Sequence, residues 1–169
     1  MFDSKSTTIR RPEPFEMDLI YLAGFDVWAD SMSREAYLND CRSSQKYQQG
    51  NWWVLEHASE IVSSLIVYRD VFGLENGFVG IGSITTPPNK RRHGFASELL
   101  RQVLELESSG ATNGFFLFSE VKPEFYGKIG FKILPKNLQK YPDSICMVKC
   151  SEVVYRKLEC GEREVPRYF

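Results

Sequence analysis

Ile84-Thr85-Thr86-Pro87-Pro88-Asn89-Lys90-Arg91-Arg92-His93-Gly94-Phe95-Ala96-Ser97 is the stretch on which the fold turns. It reads as the end of a strand, a tight basic turn and the opening of an amphipathic helix. The two prolines stop the strand, because neither can donate to a ladder. Past the turn, Phe95, Leu99, Val103 and Leu106 recur at helical spacing, with Ala96, Leu100 and Leu104 beside them. Glu98, Arg101, Gln102 and Glu105 fill the other face. A helix start carries unpaired N–H groups and a partial positive charge. Successive N–H groups from Arg92 to Ser97 therefore form a concave seat for an anion. Gly94 lets the backbone approach a bulky phosphate, Ala96 keeps that approach clear, and Lys90, Arg91 and Arg92 add cationic charge. A diphosphate is the natural occupant. The stretch matches neither G-x-x-x-x-G-K-[ST] nor G-x-G-x-x-G, so two familiar phosphate loops are rejected.

Working outward, Thr7–Arg10 reads as a short strand, and 16–29 and 34–45 as helices, the second opened by Ser33 as N-cap. Segments 52–56, 61–68 and 78–85 are rich in β-branched and aromatic residues and read as consecutive antiparallel strands. After the long helix, Gly110 is a stop and 115–118 a strand. A short helix over 123–129 follows, ended by Gly130, then strands at 131–134 and 145–148. The residues 151–169 are charged and poorly patterned, which leaves a docking contact in a homodimer open. The sum is one α+β domain, 1–169, built on one sheet.

The chain of 169 residues is long enough for one core and hardly two. Hydrophobic residues at 43% and charged residues at 25% exclude a disordered chain. Lys plus Arg number 21 against 22 Asp plus Glu, a net charge of −1, so bulk attraction to nucleic acid or an anionic membrane is not expected. Nothing from Met1 to Pro14 has signal-peptide character, and no stretch reaches the roughly 20 apolar residues of a spanning helix. Cys41, Cys146, Cys150 and Cys160 make no C-x-x-C pair and read as free cytoplasmic thiols; with only His57 and His93 to add, no metal is expected.

Arg91-Arg92-His93-Gly94-Phe95-Ala96 fits [QR]-x-x-G-x-[GA], and Tyr126-Gly127-Lys128-Ile129-Gly130-Phe131 fits Y-x-x-x-G-F. Together, and each in its strand and helix context, they resemble the GNAT superfamily of acetyl-CoA-dependent N-acetyltransferases over residues 78–134. The resemblance implies a GNAT-like three-layer α+β fold, with a mixed, mostly antiparallel central sheet of about six to seven strands flanked by helices. It implies acetyl-CoA as cosubstrate and direct attack by a primary amine of a small molecule or amino acid. The diphosphate would rest on the seat formed by Arg91, Arg92, His93, Gly94, Phe95, Ala96 and Ser97. The pantetheine arm would lie along Ile84, Thr85 and Thr86, entering a splay between that strand and 115–118, with a bulge at Gly80 or Gly82. Tyr126 would protonate the leaving thiolate, since a phenol is neutral at pH 7. Glu120, just past a strand end, is the first choice of base, ahead of Glu56 and His57. One ring of Trp52-Trp53 would be core and the other, with the Val71–Gly77 connection, would border the acceptor. Phe116–Ser119 followed by Pro123–Tyr126 also resembles a subgroup that includes fungal lysine acetyltransferases. The alternative to an enzyme is a non-catalytic acyl-CoA-binding sensor domain.

Overall fold

The computed structural model describes residues 7–75, 77–120 and 122–169. The start of the polar N-terminal stretch, Asn76 of the Val71–Gly77 connection and Val121 lie outside the described residues. Seven strands form one sheet: β1 (Thr7–Arg10), β2 (Asn51–His57), β3 (Glu60–Tyr68), β4 (Phe78–Thr85), β5 (Gly114–Ser119), β6 (Lys132–Ile133) and β7 (Ile145–Cys150). Their order is β1-β2-β3-β4-β5-β7-β6. The helices are α1 (Met17–Leu22), α2 (Phe25–Trp28), α3 (Arg34–Ser43), α4 (Gln45–Gln48), α5 (Phe95–Glu107), α6 (Glu124–Gly127) and α7 (Glu152–Glu159). The chain divides into two compact units: Met1–Ile66 with Ser83–Val103, and Val67–Gly82 with Leu104–Phe169.

In the first unit β1 pairs antiparallel with β2, from Thr7↔His57 to Arg10↔Val54. Ala58 and Ser59, at φ 50° and 62°, link β2 to β3 in two residues, with the positive φ values of a type I′ turn. The single helix expected over 16–29 is broken into α1 and α2 at Gly24. A Cβ there would come within 2.3 Å of the Trp28 ring, so the chain kinks where only glycine leaves room for that indole. Ser33 caps α3 as expected, its Oγ accepting from the Ala36 N–H at 3.2 Å. Ala29, Tyr37 and Cys41 form a buried cluster against which Tyr21, Leu22, Phe25, Trp28 and Tyr47 pack. Trp52 stands edge-on to Tyr47 at 5.2 Å, and Trp53 lies under the Arg11 guanidinium at 3.7 Å. Both indoles are half-buried, which corrects the expectation that one of them is core.

In the second unit β4 pairs parallel with β5 over Phe78–Gly80 and Gly114–Phe116, while β5 pairs antiparallel with β7 along its whole length. β6 pairs antiparallel with β7. Tyr68, Leu74, Phe116, Leu117, Leu134 and Met147 are fully buried. A positive φ in β4 falls at Ser83, at 45°. Gly80 makes space, since a Cβ there would meet Leu74 and Phe169 at 2.7 Å. Residues 151–169, expected to be unpatterned, open with α7, capped by Ser151, whose Oγ accepts from the Val154 N–H. Along α5, Phe95, Leu99, Leu100, Val103 and Leu104 are buried, but Leu106 is 58% exposed and leaves the apolar face. No described helix is long and apolar enough to cross a membrane.

Candidate active site

In the first unit, the candidate residues are arranged from the end of β4 onward. Ser63 and Ser64, buried in the middle of apolar β3, spend their hydroxyls here. Ser63 Oγ donates to the Thr85 carbonyl at 2.7 Å and lies 3.2 Å from Thr86 Oγ1; Ser64 Oγ lies 2.8 Å from Thr85 Oγ1. Buried polar groups need such partners, and here they pin the strand end. A polar pair, Ser63-Ser64, inside an otherwise apolar strand is the sequence signal of this device. Ser83, at its left-handed position, sets its hydroxyl 3.5 Å from that of Tyr47. Burial raises the Tyr47 phenol above its ordinary range.

Pro88–Lys90 then form one turn of 3-10 helix. Arg91 closes the loop. Its Nε donates to the Thr86 carbonyl at 2.9 Å, and its two terminal nitrogens donate to both Asp26 carboxylate oxygens at 2.7 Å. This bidentate pair holds the Asp26 carboxyl below the usual carboxylate range. Lys90 pairs with Glu60. Of the three adjacent cations, Arg92 alone has no side-chain partner among the described residues. Arg92 and Gly94 have φ of 66° and 83°, which swing successive peptide planes round to the head of α5. His93 is exposed, with its ring held at the Arg91 carbonyl at 2.9 Å.

The Glu98 N–H donates to the Gly94 carbonyl at 3.0 Å and closes the first turn of α5. Among the described residues, none accepts a hydrogen bond from the backbone N–H of Gly94, Ala96 or Ser97. A Cβ added at Gly94 meets no atom within 4 Å. The donors are thus in place, and among the described residues no side chain occupies them. That is the arrangement an anion needs at a helix start.

The second unit carries Tyr126 on α6. Its ring is 8% exposed, edge-on to Phe125 at 5.0 Å and to Phe131 at 6.3 Å. Burial first, and the charge of Glu120 second, push its phenol up to about 12. Gly130, at φ 97°, ends this turn, and the Phe131 N–H donates back to the Tyr126 carbonyl. Phe131, after this stop, is buried. Glu120 is exposed just past β5, and the Tyr168 hydroxyl donates to its carboxylate. In the first unit, Glu56 is bound to Arg10 and the His57 ring lies against Phe95 at 5.7 Å. No group of three or more His, Cys, Asp or Glu among the described residues is placed to hold a metal ion.

A family model described as an acetyltransferase (GNAT) domain matches residues 8–134. No curated protein sequence matches the chain. Among solved structures, the chain is similar to N-acetylglutamate synthase from Neisseria gonorrhoeae complexed with coenzyme A and L-arginine, at 18% identity and a TM-score of 0.63. That match covers 86% of this chain but 33% of the other, so the chain spans about a third of the synthase. PaiA N-acetyltransferase from Thermoplasma acidophilum in complex with coenzyme A matches at 16% identity and a TM-score of 0.61, covering 86% of this chain and 99% of that one. A GNAT family acetyltransferase from Brucella melitensis in complex with acetyl-CoA matches at 17% and 0.57, covering 83% and 86%. At these identities the likeness is one of fold.

Proposed function

Since the chain belongs to the GNAT acetyltransferase family, we propose that it transfers the acetyl group of acetyl-CoA to a primary amine of a small molecule or amino acid, by direct attack of the amine nitrogen. The observation that carries this reading is the set of backbone donors on Gly94, Ala96 and Ser97, for which no described residue provides an acceptor. They hold the diphosphate of the cosubstrate. Arg92 adds the charge, and Arg91 shapes the loop through Asp26 and Thr86 rather than by offering its own guanidinium. The end of β4 at Ile84, Thr85 and Thr86 carries the pantetheine arm; the short β4–β5 pairing, three residues on each strand, supports its entry there.

Tyr126 acts on the departing sulfur. Burial pushes its phenol up to about 12, so the hydroxyl is protonated at neutral pH. A thiol titrates near 8.5, so full transfer of that proton to a thiolate runs uphill by roughly 3 to 4 pKa units. The hydroxyl therefore serves as a hydrogen-bond donor to the developing negative charge, which costs no ionised phenol. Glu120 takes the proton that nitrogen sheds. The four cysteines are free, which supports a reducing compartment such as the cytoplasm. Lysine is not assigned as the acceptor: the fungal resemblance rests on residues that form β5 and α6, which carry no reading of the acceptor.

The test is release of free thiol from acetyl-CoA with a panel of primary amines. Wild type should release it, and Tyr126→Phe should lose about 100-fold in kcat while the Kd for coenzyme A stays within twofold. Coenzyme A binding without turnover on any amine would favour the sensor domain instead.

A further inference from the structure

The family model ends at residue 134, yet residues far beyond it reach the candidate base. In the second unit the segment 165–169 is fastened throughout. Val165 and Phe169 are buried. The Val165 carbonyl accepts from Lys140 Nζ at 3.0 Å, the Arg167 N–H donates to the Phe72 carbonyl at 2.7 Å, and the Tyr168 N–H donates to the Tyr141 hydroxyl at 3.0 Å. The Phe169 ring packs on Tyr68 and Phe118 at 5.2 and 5.1 Å and fills the space that Gly80 leaves. Held in this way, the Tyr168 ring sits against Phe118 at 5.2 Å and Tyr141 at 5.7 Å, and its hydroxyl donates to Glu120. Glu120 is in turn close enough to Tyr126 for its charge to act on that phenol. Glu120 and Ser144 are the residues just past the last β5–β7 pair, Ser119↔Ile145. Ser144 buries a hydroxyl with no hydrogen-bond partner among the described residues.

We propose that Tyr168 is a positioning residue for the acetyl transfer: it fixes the Glu120 carboxylate, and residues 165–169 thereby belong to the acceptor side of the site. An exposed glutamate samples many rotamers, and a charge-assisted hydrogen bond from a packed ring removes most of that freedom before the amine arrives. In the balanced step the nitrogen lone pair forms the C–N bond and the C–S bond breaks with its electron pair on sulfur. The proton shed by nitrogen goes to Glu120, and the thiolate leaves hydrogen-bonded to the Tyr126 hydroxyl.

This inference rests on the transfer reading above, and a double-mutant cycle on the full chain separates the two. The probe is acetyl-CoA with whichever panel amine the wild type turns over fastest. Glu120→Gln should lose about 100-fold in kcat, the lower end of general-base effects. Tyr168→Phe keeps the ring contacts and should lose about tenfold in kcat, with the KM for acetyl-CoA and the Tm unchanged. The double variant should be no slower than Glu120→Gln alone, because Tyr168 acts only through that carboxylate. A further tenfold loss when Tyr168→Phe is added to Glu120→Gln overturns the proposal, as does full activity of Glu120→Gln or a Tyr168→Phe loss seen in Tm and not in kcat. A wild type that binds coenzyme A but transfers to no amine overturns the transfer reading itself, and this assignment with it.

Discussion

Gly94 is the residue whose chemistry is least replaceable. Its φ of 83° lies where a side chain is strained, although the space a Cβ would occupy is open. Gly94→Ala should therefore cost about 1–2 kcal/mol of stability through backbone strain alone. That amounts to a drop of a few degrees in Tm for a chain of this size. The same variant should weaken coenzyme A binding by tilting the donors that follow it; calorimetry with coenzyme A reads this beside the melting curve. At this scale the sequence was legible for Gly94 and Gly130 and for the two signatures. It was not legible for partners. The string Lys90-Arg91-Arg92 reads as three equal cations, but Asp26 and Glu60, 65 and 30 residues away in sequence, claim two of them. The Tyr126 phenol could be read from its signature, but the burial that raises its pKa could not.

Among the elements, the long amphipathic α5 and the apolar strands were plain in the periodicity, because each repeats one face over many residues. Short elements failed for the opposite reason. The break between α1 and α2 depends on one indole meeting one glycine, which no local pattern records. In β4 Ser83 takes a positive φ, and Gly80 leaves room for Phe169, neither of which local pattern records. β1 and the turn before α1 are tied by a similar long-range device. Arg10 donates both terminal nitrogens to Glu16 at 2.8 Å and its Nε to Glu56 at 2.8 Å. This fork, helped by the Glu13 N–H, lowers the Glu16 carboxyl from 4.5 to about 2 against a burial cost that pushes it up. A folded value below the unfolded one means a contribution fully present above pH 4.5 and lost as pH falls through about 2. Urea midpoints measured over that window should fall with pH, and Glu16→Gln should flatten the slope. An unchanged slope in the variant would show that Glu16 is not the group titrating.

For the whole molecule, family membership places the chain among GNAT acetyltransferases and the seven-strand sheet gives its fold. The stacked Tyr21 and Tyr47 rings with Trp52 edge-on in the first unit and the packed segment 165–169 in the second depend on long-range packing rather than on local pattern. The whole reading stands on one physical statement: main-chain donors at the head of α5 receive the diphosphate. Amide chemical shifts in a ¹⁵N-labelled sample test it most directly, with coenzyme A titrated in one series and pantetheine, which lacks the diphosphate, in another. The account predicts that the Gly94, Ala96 and Ser97 amides move strongly downfield with coenzyme A and hardly at all with pantetheine. Saturable coenzyme A binding that leaves those three amides where they began would contradict it.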